Sequence, residues 1–149
     1  MKTKLTYFFF LLGLTLSAQE ITIDDEKVML NGKQILKSEK INVSEYTFYS
    51  VATDDEVISF RFHNNESPKY LDDDYFILTF VNQKVRVESM NKQRVFAGLG
   101  MNSRKNMEKL LNWLLKEKVI DAEGTINAEK LQNFATKYNE NITNRTVRY

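Results

Sequence analysis

A β-hairpin between residues 75 and 89 decides the fold. Residues 75–81 read Tyr-Phe-Ile-Leu-Thr-Phe-Val, residues 82–84 read Asn-Gln-Lys, and residues 85–89 read Val-Arg-Val-Glu-Ser. The first segment is a short run of β-branched and aromatic residues bounded by turn formers, a pattern typical of a β-strand. It is apolar on both faces, which predicts a central strand that is covered twice. The last segment alternates apolar and polar residues, which predicts a strand with one face in water.

Shorter strand patterns precede this hairpin. The segments 28–30 and 33–36 flank Asn31 and Gly32, and Asn-Gly is a strong signal for a two-residue hairpin turn because both positions favour positive φ. In that register Val28 faces Ile35. Further strand patterns cover residues 21–23, 45–51, 56–62 and 94–97, the last of them at an edge of the sheet.

After residue 100 the hydrophobic residues recur at the spacing of helices. The first apolar stripe consists of Met107, Leu110, Leu111 and Leu114, and it follows Asn102 or Ser103 as N-cap. A second helix begins at Asn127, and its stripe consists of Leu131, Phe134, Ala135 and Tyr138. Strands followed by helices predict an α+β fold: a curled, mainly antiparallel β-meander of about six to seven strands, with a two-helix αα-hairpin packed on one face.

Residues 1–18 have the pattern of a secretory signal peptide. Two lysines are followed by an apolar middle over residues 5–16, and the small residue Ala18 precedes Gln19. The apolar middle is too short to span a membrane. We therefore expect cleavage near Ala18, a periplasmic or secreted location, and a single domain over residues 19–149.

Composition narrows the classes of function. The chain has 149 residues, of which 42% are hydrophobic and 28% charged, as in a folded domain. Without the two lysines of the signal, 19 basic residues face 20 acidic ones, so we expect no nucleic-acid partner and no stable membrane anchor. There is no cysteine and a single histidine, His63. These counts exclude a cysteine nucleophile, a thiolate metal site and any site that needs two imidazoles.

Several framework motifs follow one another in a fixed order: a signal ending in Ser-Ala-Gln, the Asn-Gly-Lys strand pair, the aromatic strands, and the segment 110–142 with Leu-Leu-Lys-Glu-Lys-Val-Ile-Asp, Ile-Asn and Glu-Lys-Leu. This order resembles that of small, uncharacterised exported proteins of Bacteroidota. The resemblance implies an exported location and strands followed by helices. It implies no activity, ligand or catalytic residue.

The leading functional hypothesis is a non-catalytic binding or interaction module. If the helices cover Phe76, Leu78 and Phe80, the opposite face of that strand needs another cover. That face would carry Tyr75, Ile77 and Val81, joined by Tyr49 and Val51 from a neighbouring strand. We expect the N-terminal hairpin with Val28, Leu30 and Ile35 to cover it, and the alternative is a binding face for a protein or a small apolar ligand.

Two other classes of function are open. A hydrolase could use His63 as general base with a carboxylate of Asp72 or Asp74. A structural protein could be stabilised by calcium at the acidic cluster 72–74. The segment 119–130 has the spacing of an EF-hand loop, but Val119 and Lys130 occupy the two end positions where carboxylates are needed, so we expect no calcium there and no cofactor.

Overall fold

The computed structural model describes residues 19–63, 74–97 and 104–143. It contains a seven-stranded antiparallel sheet followed by two helices, which confirms the predicted α+β meander. Each strand pairs with the next one in the chain, so the sheet is open and its order equals the sequence order. The strands are β1 (Ile21–Asp24), β2 (Lys27–Leu30), β3 (Lys33–Asn42), β4 (Glu45–Ser50), β5 (Glu56–His63), β6 (Tyr75–Phe80) and β7 (Val85–Ser89). The helices are α1 (Arg104–Lys116) and α2 (Ala128–Tyr138).

The hairpin that decides the fold is formed by β6 and β7, with Leu78 opposite Val87. The predicted edge strand over residues 94–97 is wrong. Residues 94–97 form no strand: Arg94 ends a short 3₁₀ turn, Lys92–Arg94, and the Val95 N–H donates to the Lys92 carbonyl at 3.1 Å. Val95 is fully buried, so the turn serves to place an apolar side chain in the core rather than to extend the sheet.

The hydrophobic core lies between the helices and one face of the sheet, here called the inner face. Phe60 stacks on Phe76 with ring centroids 6.1 Å apart, and Phe80 meets Phe134 of α2 edge-on at 6.5 Å. Trp113 of α1 lies 4.8 Å from Phe134 and joins the two helices. Both predicted helical stripes face this core, although Ala135 and Tyr138 are only partly buried. The side chain of Asn127 caps α2 by accepting the Lys130 N–H at 3.0 Å.

The N-terminal hairpin extends the same sheet and does not fold over its opposite face, so the predicted cover is wrong. Val28 pairs with Leu36 rather than with Ile35, because a β-bulge shifts the register between β2 and β3. Following the register from strand to strand places Val28 and Leu30 on the inner face, where both are buried in the core. The helices therefore cover the whole width of the sheet on one side.

Polar groups of the chain itself bind backbone groups at both edges of the sheet. At β1, the Ile21 N–H donates to Asn112 Oδ1 at 2.7 Å, and Asn112 Nδ2 donates to the Ile21 carbonyl at 3.0 Å. The Ile23 N–H donates to Glu108 Oε1 at 2.9 Å. Two side chains of α1 thus replace a neighbouring strand. At β7, the segment that follows α2 has the same role, and this protects the sheet against pairing with other strands.

Candidate functional site

A cleft of about 580 Å³ opens at one end of the sheet, where the β4–β5 and β6–β7 turns meet the connector between α1 and α2. We call it the sheet-end cleft. Its size is within the usual range of pockets for small molecules. Its walls come from four separate parts of the chain: residues 33–36, residues 50–57, Asn82 with Gln83, and residues 123–126.

The connector forms one wall because it is folded tightly onto β3. Asp121 Oδ1 accepts the N–H groups of Glu123 and Thr125 at 2.8 and 3.0 Å, which holds the chain in a compact loop. Gly124 has φ +79° and lies directly on the backbone of Ile35. A side chain at that position would collide with the Ile35 carbonyl, so the wall depends on glycine.

The β4–β5 turn forms the opposite wall. Asp54 has φ +60° and forms an ion pair with Lys37, which fixes the turn against β3. The side chain of Val51 is 42% exposed and lines the cleft, while Val57 behind it is buried. Asp55 also lines the cleft, and its carboxylate has no hydrogen bond or ion pair within the described residues.

The β6–β7 turn contributes Gln83, whose Oε1 is buried and has no hydrogen-bond partner among the described residues. Because this oxygen has almost no accessible surface, a ligand in the cleft reaches it only if the turn moves. Val81 in the same turn is 37% exposed but does not line the cleft. Among the residues that line the cleft, Gln83 is the one with a buried side-chain acceptor that has no hydrogen-bond partner in the described part of the chain.

The chemistry of the sheet-end cleft is that of binding. Val51 and the partly buried Ile126 expose apolar surface to it, whereas Ile35 and Leu36 lie beneath this surface and are almost fully buried. Its charged groups are the unpaired carboxylate of Asp55 and an ion pair between Lys33 and Glu123. Sequence reasoning missed this site because its walls are far apart in the chain; it named Val51 and the 119–130 loop separately without placing them together.

The predicted binding residues on the other face of the sheet, here called the outer face, do not form an apolar patch. Ile77 is half-buried and lies between Arg61 on β5 and Glu88 on β7. Tyr75 is 8% exposed, and its ring lies 4.9 Å from the ring of His63. Hydroxyl side chains continue the face across three strands: Thr47, Ser59 and Thr79. This polar composition distinguishes the outer face from the apolar inner face.

The other residues assigned to that face lie apart from Ile77. Val51 and Val81 are in turns rather than in strands. Tyr49 is on the outer face of β4, where its hydroxyl donates to Glu39 at 2.8 Å. This hydrogen bond to a carboxylate raises the pKa of the Tyr49 phenol above its usual value.

The predicted hydrolytic pair is not assembled within the described residues. His63 is exposed at the end of β5, and its ring contacts Tyr75 with no hydrogen bond to a carboxylate among the residues described. Asp74 is buried, and one carboxylate oxygen lies 3.8 Å from Nζ of Lys92. Asp72 lies outside the described residues.

The calcium hypothesis for the acidic cluster 72–74 depends on residues 72 and 73, which lie outside the described residues. Within residues 19–63, 74–97 and 104–143, no three carboxylate or imidazole groups are close enough to hold a metal ion. Asp121 of the EF-hand-like loop accepts backbone N–H groups. None of the helices in the described part of the chain is long and apolar enough to cross a membrane. Residues 1–18, where we predict the signal peptide, lie outside the described residues.

Comparison with known proteins gives no match: no family model, no curated protein and no solved structure is significantly similar to this chain.

Proposed function

We propose that this chain is a small exported module that binds a small, largely apolar molecule in the sheet-end cleft without catalysing a reaction. The exported location, in the periplasm or outside the cell, is supported by the signal-like pattern of residues 1–18 and by the resemblance to exported proteins of Bacteroidota. The binding function is supported by a single observation. Four distant parts of the chain converge on one concave site that exposes apolar surface.

The chemistry of the cleft narrows the ligand. Apolar side chains favour a largely hydrocarbon body, because removing apolar surface from water stabilises the complex by roughly 25 cal/mol per Å². The unpaired Asp55 carboxylate favours a ligand with at least one hydrogen-bond donor. Because side chains of α1 and the segment after α2 already bind backbone groups of β1 and β7, addition of a peptide strand to either edge is less favoured than binding in the cleft.

The experiment is a screen of small fragments by ligand-observed NMR against the mature chain, residues 19–149. Fragments should bind the wild type and lose binding in Val51→Glu, which places a carboxylate on the apolar wall beside Asp55. Val81→Glu is the matched control, because Val81 is similarly exposed in a turn but lies outside the cleft. The proposal is wrong if no fragment binds, or if binding survives Val51→Glu.

The same samples test whether the module is non-catalytic. Mass spectrometry of each bound fragment after prolonged incubation should show an unchanged mass. Products whose masses add up to that of the fragment plus one water, and which no longer form with His63→Ala, would instead support the hydrolase.

A further inference from the structure

On the edge of β7 that faces away from β6, backbone groups of Glu88 form hydrogen bonds with the segment that follows α2. The Glu88 N–H donates to Asn139 Oδ1 at 3.1 Å, and the Glu140 N–H donates to the Glu88 carbonyl at 2.8 Å. The Met90 N–H donates to a carboxylate oxygen of Glu140 at 2.7 Å. Residues 139–143, here called the C-terminal clasp, therefore use the groups with which β7 would bind another strand.

One carboxylate holds the end of this clasp. Glu88 Oε2 accepts the Thr143 N–H at 2.8 Å, and Glu88 Oε1 accepts the Thr143 hydroxyl at 2.6 Å. Arg86 Nε is 2.8 Å from the same Oε1, and the Arg86 guanidinium also donates to Thr143 Oγ1 at 3.3 Å. The side chain of Ile142 in the middle of the clasp is buried. The clasp is short, and most of the described hydrogen bonds that it makes with β7 are made to Glu88.

The sequence of β7 is complementary to itself in the antiparallel direction. If two β7 strands pair about a two-fold axis at Val87, each Arg86 lies opposite Glu88 of the second copy. The polar backbone groups of Glu88 point away from β6, and because strands have a period of two, those of Arg86 do so as well. Residues 86 and 88 would therefore form the hydrogen-bonded pairs of this register.

We propose that the β7 edge is a latent interface for a second copy of this chain, kept closed by the C-terminal clasp. When the clasp leaves, two copies pair about Val87 and their sheets become continuous. Two pairs of opposite charge, Arg86 with Glu88 of the second copy, then fix the register. Opposite charges directly across an antiparallel pair stabilise it, whereas like charges oppose it. A strand without this alternation of opposite charges has no such match, whereas every second copy has it, so the second copy is the occupant that the charges favour.

The test begins with a variant that opens the clasp and leaves β7 unchanged. Asn139→Ala, Glu140→Ala and Thr143→Pro together remove two side-chain acceptors and the N–H and hydroxyl donors of Thr143. Light scattering after size-exclusion chromatography should show a monomer for the wild type. The open variant should dimerise at least about tenfold more tightly, a shift of about 1.4 kcal/mol.

Charge reversal then tests the register. In the open background, Arg86→Glu places like charges opposite each other and should weaken the dimer at least about tenfold. Adding Glu88→Arg restores opposite charges and should restore the dimer. A folded open variant that stays monomeric at millimolar concentration overturns the proposal, and so does a dimer that is indifferent to charge reversal, because it uses another surface.

A milder variant covers the case in which the open variant does not fold. Thr143→Val removes a single hydroxyl and keeps the backbone donor. It should dimerise measurably more tightly than the wild type at millimolar concentration. A Thr143→Val protein that is as monomeric as the wild type overturns the proposal.

Discussion

Gly124→Ala should destabilise the protein far more than the same change at Gly32, although both glycines have nearly the same backbone conformation. Their φ angles are +79° and +78°. A side chain in this left-handed region costs about 1–2 kcal/mol at either position. At Gly32 the new Cβ would have no atom within 4 Å, so this conformational cost is the whole effect.

At Gly124 the new Cβ would lie 2.3 Å from the Ile35 carbonyl oxygen. This is about 1 Å closer than an ordinary contact between carbon and oxygen, and the opposing atom belongs to the backbone of β3, which cannot rotate away. Relieving the overlap requires the connector to move off the strand, which costs a further ~1–3 kcal/mol. The total is about 2–5 kcal/mol, against about 1–2 for Gly32→Ala.

Urea unfolding of the mature wild type and of the two variants measures both values. Gly124→Ala should lower the free energy of unfolding by at least about 1 kcal/mol more than Gly32→Ala does. If the two losses agree within about 0.5 kcal/mol, the connector does not lie on β3 as described, and the wall of the cleft is misplaced.

Three other predictions concern the core, the outer face and the clasp. Leu111→Asp and Phe134→Asp should each unfold or severely destabilise the protein, because both side chains are buried in the core. Thermal melting followed by circular dichroism measures this, and a melting temperature near that of the wild type would contradict it. Ile77→Lys should lower the free energy of unfolding by about 1 kcal/mol or less, because the aliphatic part of the lysine can lie along the outer face beside Glu88. Leu78→Lys, on the inner face, should lower it by several kcal/mol. Equal losses in urea unfolding would contradict the assignment of the two residues to opposite faces. Burial alone would raise the pKa of the Glu88 carboxyl, but hydrogen bonds from Thr143 and the charge of Arg86 lower it below the ordinary 4.5. The ionised Glu88 carboxylate therefore stabilises the folded protein fully above pH 4.5, and this stabilisation is lost as the pH falls through the folded pKa. The difference in the free energy of unfolding between wild type and Glu88→Gln should shrink on acidification below pH 4.5. A difference that grows there refutes this.

The elements with a strong local pattern could be predicted from the sequence. The β6–β7 hairpin, the Asn31–Gly32 turn with both φ angles positive, and the two helical stripes depend on residues close to one another in the chain. Local spacing settles such elements, because side-chain period and turn chemistry act over a few residues.

The faces of the sheet could not be predicted in the same way. Residues 75–81 alone suggest a strand covered on both sides, but the neighbours of Ile77 are Arg61 and Glu88, which belong to other strands. Whether an apolar residue lies in an apolar patch depends on cross-strand partners, and these depend on register. A single bulge in the β2–β3 pair was enough to replace Ile35 by Leu36 opposite Val28.

The groups that bind the sheet edges and the residues that line the cleft were still harder to predict from the sequence. Asn112 satisfies Ile21, which is 91 residues away, and a polar residue on a helix has no feature that reveals this role. The sheet-end cleft likewise combines turns whose residues are ordinary turn formers. Sites built from distant loops become visible only when the topology brings the loops together.

The most direct test of the account is a map of amide chemical shifts in the ¹⁵N-labelled mature protein on addition of the low-molecular-weight fraction of the producing cells. Binding in the sheet-end cleft predicts shifts at Val51, Gln83 and Thr125, which come from three different walls, with Tyr75, Ile77 and Tyr49 on the outer face unchanged. Shifts confined to the outer-face residues, or no shifts at all, would contradict the claim that this cleft is the binding site.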